Sequence, residues 1–457
     1  MESVSQEHLL PQVEQAVWTI LQRCAGELAR SSGFIQRQGQ KITGANFAQT
    51  LILGLLQDPK ASLDALVQFG ADVGLDITAQ GLDQRFTKRA AKFLQALFEV
   101  ALAQVILADP VAIPLLERFA AVYLEDSTQV RLPDGLAELF RGSGGHHGGK
   151  GTKAAFKLQA RLEMVRGQLS CSSLLDGRQA DSKTPLQHES SPARSLHIRD
   201  RGFVDLKRWQ AEARQGQYML SYYKNTVGLF DQQGQAIDLP LWLAQAPQRG
   251  EIEVLVGSQE RLPMRLFFER VPAEVARERR RYLRREAQTH ERASSHEAEL
   301  LAGWTLALTN VPPELLSWTQ ALVLLRLRWQ IELLFKLWKE QGLLDEWRTH
   351  KPDRILCEVY AKLIGLLIQH WLLIIGCWQE PHRSLVKAAK AVRSHAILLA
   401  VALSGDLDMR VALRRTQRAT RAGSRMNSRA DAPNTSQLLL AGCNTWSSQP
   451  LKEKKRR

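Results

Sequence analysis

The sequence predicts an α/β protein in which a mixed sheet is covered by helices, with an all-helical segment ahead of it. Residues from about 7 to 115 place apolar side chains at helical spacing and contain few strand signals. After about 116, short apolar or alternating runs bounded by Gly, Pro and Asp are typical of strands. Further on, helical DLKRWQAEARQ lies between SLHIRDRGF and QYMLSYYKN, and this alternation favours a sheet flanked by helices.

The all-helical segment contains a candidate helix-turn-helix in SLDALVQFGADVGLDITAQGLDQRFTKRAAKFL. Gly74 is expected to end one helix and Thr78 to cap the next. The second helix would present a polar, basic face to a DNA groove: Gln80, Gln84, Arg85, Lys88 and Arg89. A plain helical hairpin with a solvated basic face explains the same pattern, so both interpretations stay open.

The overall charge favours a polyanionic partner. Lys and Arg total 61 against 47 Asp and Glu, for a net charge of +14, which favours nucleic acid over a membrane surface. The five cysteines form no CxxC pair, which argues against a zinc module or a disulfide scaffold and favours a reducing compartment. The sequence does not open with a basic segment followed by an apolar one, so we do not expect secretion. The apolar run from Leu363 to Trp378 is shorter than the roughly 20 residues of a membrane span, so we expect a buried helix there.

The segment LRLRWQIELLFKLWKEQG, residues 325–342, predicts a helix with two distinct stripes. One stripe is apolar and should face the core: Leu327, Ile331, Leu334 and Trp338. The other is polar, because Arg328, Glu332 and Lys339 share a face about 40° wide. A carboxylate between apolar walls requires a cation, a metal ion or a charged ligand. A surface ion pair between Arg328 and Glu332 is the simpler alternative.

Two aspartates are candidate metal ligands because each is expected at the end of a strand. Asp126 closes AVYLED and Asp200 closes SLHIRD. Two carboxylates plus a third from a neighbouring helix can hold two Mg²⁺ ions about 4 Å apart, and Glu332 is the candidate third ligand. The simpler alternative is that these aspartates only begin turns, as most strand-end aspartates do. Three other acidic residues nearby are assigned no role in the site: Asp134, Asp176 and Asp181.

The glycine-rich run GSGGHHGGKGTK, residues 142–153, resembles a phosphate-binding loop only in part. Gly151 stands where that motif requires Ser or Thr, and no helix is expected to follow. A flexible hairpin loop is the better interpretation, with His146 and His147 as loop polarity.

The order of Asp126 in EDST, Asp200 in IRDRGF and then RWQIELLFKLWK resembles the DDE transposases of bacterial insertion sequences, specifically the insertion sequence four group. That group's signature is Tyr, two residues, Arg, three residues, Glu, six residues and Lys. Arg328, Glu332 and Lys339 fall on its last three positions, while Leu325 stands at its Tyr position. The likeness extends over roughly residues 115 to 375.

The resemblance implies a ribonuclease H-like core and divides the chain into five segments. These are a helical DNA-binding domain (1–112), the first part of the catalytic core (113–225), a β-rich insertion (226–305), the second part of the core with the catalytic helix (306–380) and a basic C-terminal region (381–457). Because the chain becomes basic after residue 380, we expect this last region to be peripheral.

The resemblance also implies the chemistry. Asp126, Asp200 and Glu332 would be the catalytic triad and bind Mg²⁺, with Mn²⁺ as a substitute. The residues expected to contact DNA are Arg328, Lys339, Trp304, Arg201, Arg85, Lys88 and Arg89. Trp304 would stack on a flipped base, or it is simply a core aromatic at the start of a strand.

The function implied is cut-and-paste transposition by a homodimer on DNA in the bacterial cytoplasm, associated with the nucleoid. Two alternatives stay open. One is a ribonuclease H-like metal nuclease without strand transfer. The other is an inactive or repurposed DNA-binding protein, which the departure at Leu325 keeps under consideration.

Overall fold

The computed structural model describes residues 8–37, 41–144, 152–289, 295–380, 382–426 and 435–440. Its centre is a ten-stranded mixed sheet with the order β3-β2-β1-β5-β6-β10-β9-β8-β7, in which β4 pairs with β2 outside this path. The strands are β1 (Val122–Leu132), β2 (Ala154–Glu163), β3 (Leu169–Cys171), β4 (Leu175–Asp176), β5 (Leu196–Arg199), β6 (Tyr218–Tyr222), β7 (Leu229–Phe230), β8 (Arg249–Val256), β9 (Leu262–Arg270) and β10 (Trp304–Thr309).

The strand directions change across this sheet. β1 pairs antiparallel with β2, and β2 antiparallel with β3, whereas β1, β5 and β6 run parallel to one another. The parallel strands β5 and β6 are joined through helix α7 (Leu206–Arg214), as the alternation of strand and helix predicted. The α/β class and the mixed sheet flanked by helices are therefore confirmed.

The predicted β-rich insertion continues the central sheet. Its strands β8 and β9 pair antiparallel, and β9 pairs with β10, which returns the chain to β6. Three helices accompany these strands: α8 (Leu239–Gln245), α9 (Ala273–Thr289) and α10 (His296–Leu301). A second hydrophobic core forms here, in which Trp209 and Met219 pack with Val254 and Phe268.

The N-terminal helices are α1 (Leu9–Trp18), α2 (Ala25–Ser31), α3 (Gly44–Gln57), α4 (Leu63–Ala71), α5 (Ala79–Asp83) and α6 (Lys88–Leu102), with a π-helical turn at Thr19–Cys24. The helices after β10 are α11 (Trp318–Leu327), α12 (Trp329–Glu340), α13 (Pro352–Cys377), α14 (Leu385–Ser394), α15 (Ala396–Ser404), α16 (Met409–Arg421) and α17 (Thr435–Leu440). Helix α13 is buried almost from end to end and packs against α3, α6, α14 and α16.

This packing corrects one expectation and confirms another. The apolar run from Leu363 to Trp378 lies within a buried helix, as predicted; α13 is long and apolar enough to cross a membrane, but its apolar stretch is enclosed by the protein. The region after residue 380 was expected to be peripheral, and that is wrong for its described part. Ala389, Leu399 and Leu413 are fully buried in the same core as the N-terminal helices, because they cover apolar faces of α13 and α3.

Two sequence features lie outside the described residues. They are most of the glycine-rich run, residues 145–151 with its two histidines, and the basic C-terminal end LKEKKRR, residues 451–457. Of this run, Thr152 and Lys153 are described, and they directly precede β2.

Candidate active site

Two carboxylates meet where the parallel strands separate. The β1–β5 pairing ends with Glu125 opposite Arg199, so Asp126 and Asp200 are the next residues along these two neighbouring segments. Asp200 follows β5, as predicted. Asp126 is not at a strand end, because β1 continues to Leu132 through its antiparallel pairing with β2. The end of the parallel pairing, rather than the end of the strand, positions Asp126.

The third carboxylate comes from α12, which packs on β1. The predicted apolar stripe is confirmed, since Leu327, Ile331, Leu334 and Trp338 are all at most 6% exposed. The predicted single helix over 325–342 is interrupted: α11 ends at Leu327, and α12 begins at Trp329. At the junction the hydrogen bonds tighten to three-residue spacing, because the Ile331 N–H donates to the Arg328 carbonyl at 3.2 Å.

Arg328 connects two of the carboxylates. Its Nη1 lies 3.3 Å from Asp126 Oδ2, and its Nη2 donates to Glu332 Oε1. The Arg328–Glu332 contact is the i,i+4 pair that the sequence offered as the simpler alternative, but it is not an exposed one. Both side chains are mostly buried, and the pair extends to an aspartate 202 residues earlier in the chain.

The carboxylates also interact electrostatically. Burial, helped by the charges of Asp200 and Glu332, raises the pKa of Asp126 to about 6, although the Ser127 N–H and Arg328 oppose the rise. Three acidic groups and one guanidinium therefore share one site, which leaves negative charge uncompensated when all three carboxylates are ionised. Such a set of oxygen donors suits a hard divalent cation such as Mg²⁺.

Within the described ranges, no three His, Cys, Asp or Glu side chains are placed to hold a metal ion together. The Arg328 guanidinium instead lies between Asp126 and Glu332, where it supplies the positive charge that a divalent cation would provide. The donor chemistry fits a metal, provided that Arg328 gives up these contacts.

Lys339 is the last residue of the predicted polar stripe. It lies near the far end of α12, where its Nζ donates to the Gln129 carbonyl of β1 at 2.9 Å. Burial lowers the pKa of Lys339, and the charge of Asp345 opposes this. The amino group therefore joins α12 to the strand that carries Asp126.

Asp181, to which the sequence assigned no role, lies close to the site. Its Oδ1 accepts from Ser127 Oγ at 2.6 Å and from Lys157 Nζ at 2.8 Å. A Cβ at Gly202, two residues after Asp200, would lie 3.2 Å from Asp181 Oδ2. No local signal marked Asp181 or Lys157, because the contact joins a loop to two strands that are distant in the chain.

A buried charge network supports the two strands. Glu125 is fully buried and accepts from Arg199 Nε at 3.0 Å and from Gln187, and it contacts His197 Nδ1 at 2.8 Å. Although burial opposes it, the charges of Arg199 and Arg161 hold the pKa of Glu125 well below its usual value. The network ties β1 to β5 one residue before Asp126 and Asp200, so it fixes their relative position.

Trp304 is the first residue of β10, and its ring packs edge-on against Phe268 at 6.2 Å between centroids. The Arg270 guanidinium lies 5.8 Å from the same ring. The ring is partly buried against the second core, and part of it faces solvent. Both interpretations of Trp304, base stacking and core packing, are compatible with this position.

The basic residues of the N-terminal helices are exposed but do not share one helix. Thr78 caps α5 as predicted, accepting from the Gly81 N–H at 3.1 Å. Helix α5 ends at Asp83, Arg85 lies in the following turn, and Thr87 caps α6, which begins with Lys88 and Arg89. The predicted second helix of a helix-turn-helix is therefore divided in two, because Thr87 begins a new helix.

Acidic side chains gathered beside arginine at the end of parallel strands are typical of enzymes that act on phosphate esters. Residues 117–368 match the family described as "Transposase DDE domain". The chain belongs to this family of DNA transposition enzymes, which cleave DNA and transfer its strands and which generally use divalent metal ions.

Two relatives identified by sequence agree with this assignment. The chain is 28% identical over 391 residues, 79% of this chain and 80% of the relative, to the transposase for insertion sequence element IS231F of Bacillus thuringiensis subsp. israelensis. It is 25% identical over 374 residues, 75% of this chain and 76% of the relative, to the transposase for IS1151 of Clostridium perfringens. A solved piggyBac transposase synaptic complex with hairpin DNA aligns with 99% of this chain and 87% of that one, at 11% identity and a TM-score of 0.38.

Proposed function

We propose that this transposase moves an insertion sequence by cut-and-paste: it cuts DNA at the terminal repeats and joins the freed 3′ hydroxyl to target DNA. The observation that carries the proposal is that Arg328 contacts both Asp126 and Glu332, while Asp200 lies beside Asp126 at the end of the parallel pairing. We also propose that the sheet is ribonuclease H-like. The order β3-β2-β1-β5-β6, antiparallel up to β1 and parallel from it, supports that assignment.

The three carboxylates would hold two Mg²⁺ ions, with Mn²⁺ as a substitute, which supply activation of the attacking oxygen and stabilisation of the leaving oxygen. Arg328 would exchange its carboxylate partners for phosphate oxygens, which its planar fork can contact in pairs. Lys339 would remain a point charge at the far end of the same helix. Phosphoryl transfer depends mainly on positioning and charge neutralisation, and these side chains provide both.

The test is cutting of a labelled DNA fragment that carries one end of the element, with Mg²⁺ or Mn²⁺. Glu332→Gln should abolish cutting and leave end binding intact, since it removes a ligand charge and keeps the shape. The matched control is Glu340→Gln, because Glu340 lies on the same helix in an exposed pair with Lys336. Loss of binding with cutting merely slowed would contradict the role assigned to Glu332.

Joining distinguishes transposition from simple hydrolysis. A hydroxyl-terminated element end should become covalently linked to a target plasmid when wild-type protein is present. Cutting without any joined product would favour a metal nuclease on the same fold. End binding without either product would favour a repurposed DNA-binding protein.

We further propose that the exposed residues Arg85, Lys88 and Arg89 contact DNA phosphates. The N-terminal helices share their core with α13–α16, so deleting them would expose that core, and point substitutions are the better test. Changing all three residues to Gln should weaken binding and reduce the slope of log affinity against log salt by about 0.9 per lost phosphate contact. Lys60→Gln, at a lysine paired with Glu346, is the control and should leave the slope unchanged.

Two DNA ends must be cut in step, and we propose that a homodimer brings them together. Sedimentation of the protein with end DNA should then give a complex of two chains and two ends. A complex that contains a single chain and a single end at saturation would exclude this assembly.

A further inference from the structure

Tyr222, the last residue of β6, lies beside the acidic site. The β5–β6 pairing sets Arg199 opposite Ser221, so Tyr222 is adjacent to Asp200 at the same edge of the sheet. The side chain is half-buried. Among the residues that the structure describes, its phenolic oxygen has no hydrogen-bond partner. A hydroxyl in this position is available to a ligand that enters the site.

The surroundings of this phenol are cationic. The Arg201 guanidinium lies over its ring, 5.7 Å from the centroid. Burial raises the pKa of Tyr222; the charges of Arg328, Arg279 and Arg201 oppose the rise, and Asp200 adds to it. These groups come from three separate parts of the chain: the turn after β5, helix α9 and the junction of α11 with α12. They therefore converge on Tyr222 only in the folded chain.

Arg279 reaches this place from the insertion. Its Nη1 donates to the Trp304 carbonyl at 2.9 Å and its Nη2 to Thr305 Oγ1 at 3.3 Å, which docks α9 on β10. Within the described part of the chain, neither Arg279 nor Arg201 has a carboxylate within ion-pair distance. Two guanidinium groups without acidic partners beside a free phenol fit an anionic ligand.

We propose that Tyr222 and Arg279, together with Arg201, bind one phosphodiester of the DNA strand next to the bond that the acidic site cuts. The proposal rests on the proposed function, because that function brings a DNA strand to the carboxylates. The Tyr222 hydroxyl donates to a phosphate oxygen, while the two guanidinium groups neutralise its charge.

Tyr223 and Arg284 are nearby residues of the same types as Tyr222 and Arg279, and their contacts are those of structural residues. Tyr223 is 6% exposed, and its hydroxyl donates to the Val227 carbonyl at 2.8 Å. On α9, Arg284 pairs with Glu299 at 2.6 Å. Tyr223 and Arg284 thus have a hydroxyl acceptor and a carboxylate partner within the protein, whereas the described residues provide no hydrogen-bond partner for the Tyr222 hydroxyl and no carboxylate partner for Arg279.

The experiment uses full-length protein and a labelled duplex that carries the element end. Tyr222→Phe and Arg279→Gln should each slow single-turnover cutting or weaken end binding by about tenfold to a hundredfold, the range for a hydrogen bond to a charged group. Tyr223→Phe and Arg284→Gln are the matched controls and should change neither. Suppose that wild-type protein cuts the end, and that Tyr222→Phe cuts and binds it as well as Tyr223→Phe does. That result would overturn the proposal and leave the proposed function standing.

A methylphosphonate scan identifies the phosphate and separates contact from stability. Neutralising the contacted phosphate should weaken binding by wild-type protein and have little further effect on Arg279→Gln, whereas neutralising other phosphates should affect both proteins equally. Equal effects at every phosphate would overturn the inference. If wild-type protein binds the end without cutting it, the proposed function fails and this scan still decides the inference; if it binds no DNA, both fail.

Discussion

Removing the charge of Asp126 should stabilise the metal-free protein. The side chain is 19% exposed, and it shares its site with two other carboxylates against one guanidinium. Folding therefore disfavours the ionised form of this aspartate. Asp126→Asn keeps the size of the side chain and the oxygen that accepts from the Ser127 N–H, while it removes the charge.

The size of the effect follows from the pKa of Asp126, which folding raises from 3.8 to about 6. A shift of about 2.2 units at about 1.4 kcal/mol per unit corresponds to about 3 kcal/mol. Below pH 3.8 both states are protonated, so no cost exists; stability is lost as the pH rises through 6, and the full cost applies above that. The same linkage gives a cost of about 1.6 kcal/mol at pH 5.

The assay is urea unfolding of wild type and Asp126→Asn at pH 5 and pH 8, with a chelator present. The variant should be more stable by about 1.6 kcal/mol at pH 5 and about 3 kcal/mol at pH 8. Asp134→Asn is the control, since Asp134 is 66% exposed in a surface pair with Lys153. An Asp126→Asn variant that is less stable than wild type, or whose advantage does not grow with pH, would refute the crowding of carboxylates.

Three further substitutions test the buried charge network, the packing of α13 on α16 and the role of Lys339. Glu125→Ala leaves a buried arginine and histidine without their acceptor and should lower the free energy of unfolding by about 3–5 kcal/mol; an unchanged urea midpoint would contradict the buried network. Gly376→Ala places a Cβ 2.0 Å from Thr420 Oγ1 and should lower the free energy of unfolding by about 1–3 kcal/mol in the same assay. An unchanged urea midpoint would contradict the close packing of α13 on α16. Lys339→Met removes the contact with the Gln129 carbonyl; if the amino group contacts phosphate, the salt slope of end binding should fall by about 0.9, and an unchanged slope would assign it a structural role.

Much of the fold followed from local pattern. The period of apolar residues located the strands and the helix that carries Glu332, because burial of one face imposes that period directly. The interruption at Arg328 was not predictable, since the helical pattern runs through it unbroken. The central position of Asp126 in β1 was missed for a related reason: strand length depends on the partner strand, and β2 extends the pairing beyond the parallel part.

The sequence alone determined the spacing of Arg328 and Glu332 on one helical face, the basic balance of the chain and the order of its acidic candidates. Only the tertiary structure decided which distant groups meet. The register of β1, β5 and β6 brings Asp126, Asp200 and Tyr222 to one edge, and the docking of α9 adds Arg279. Helical periodicity is a local property, whereas strand register and helix docking depend on packing between segments far apart in the chain, which single residues do not encode.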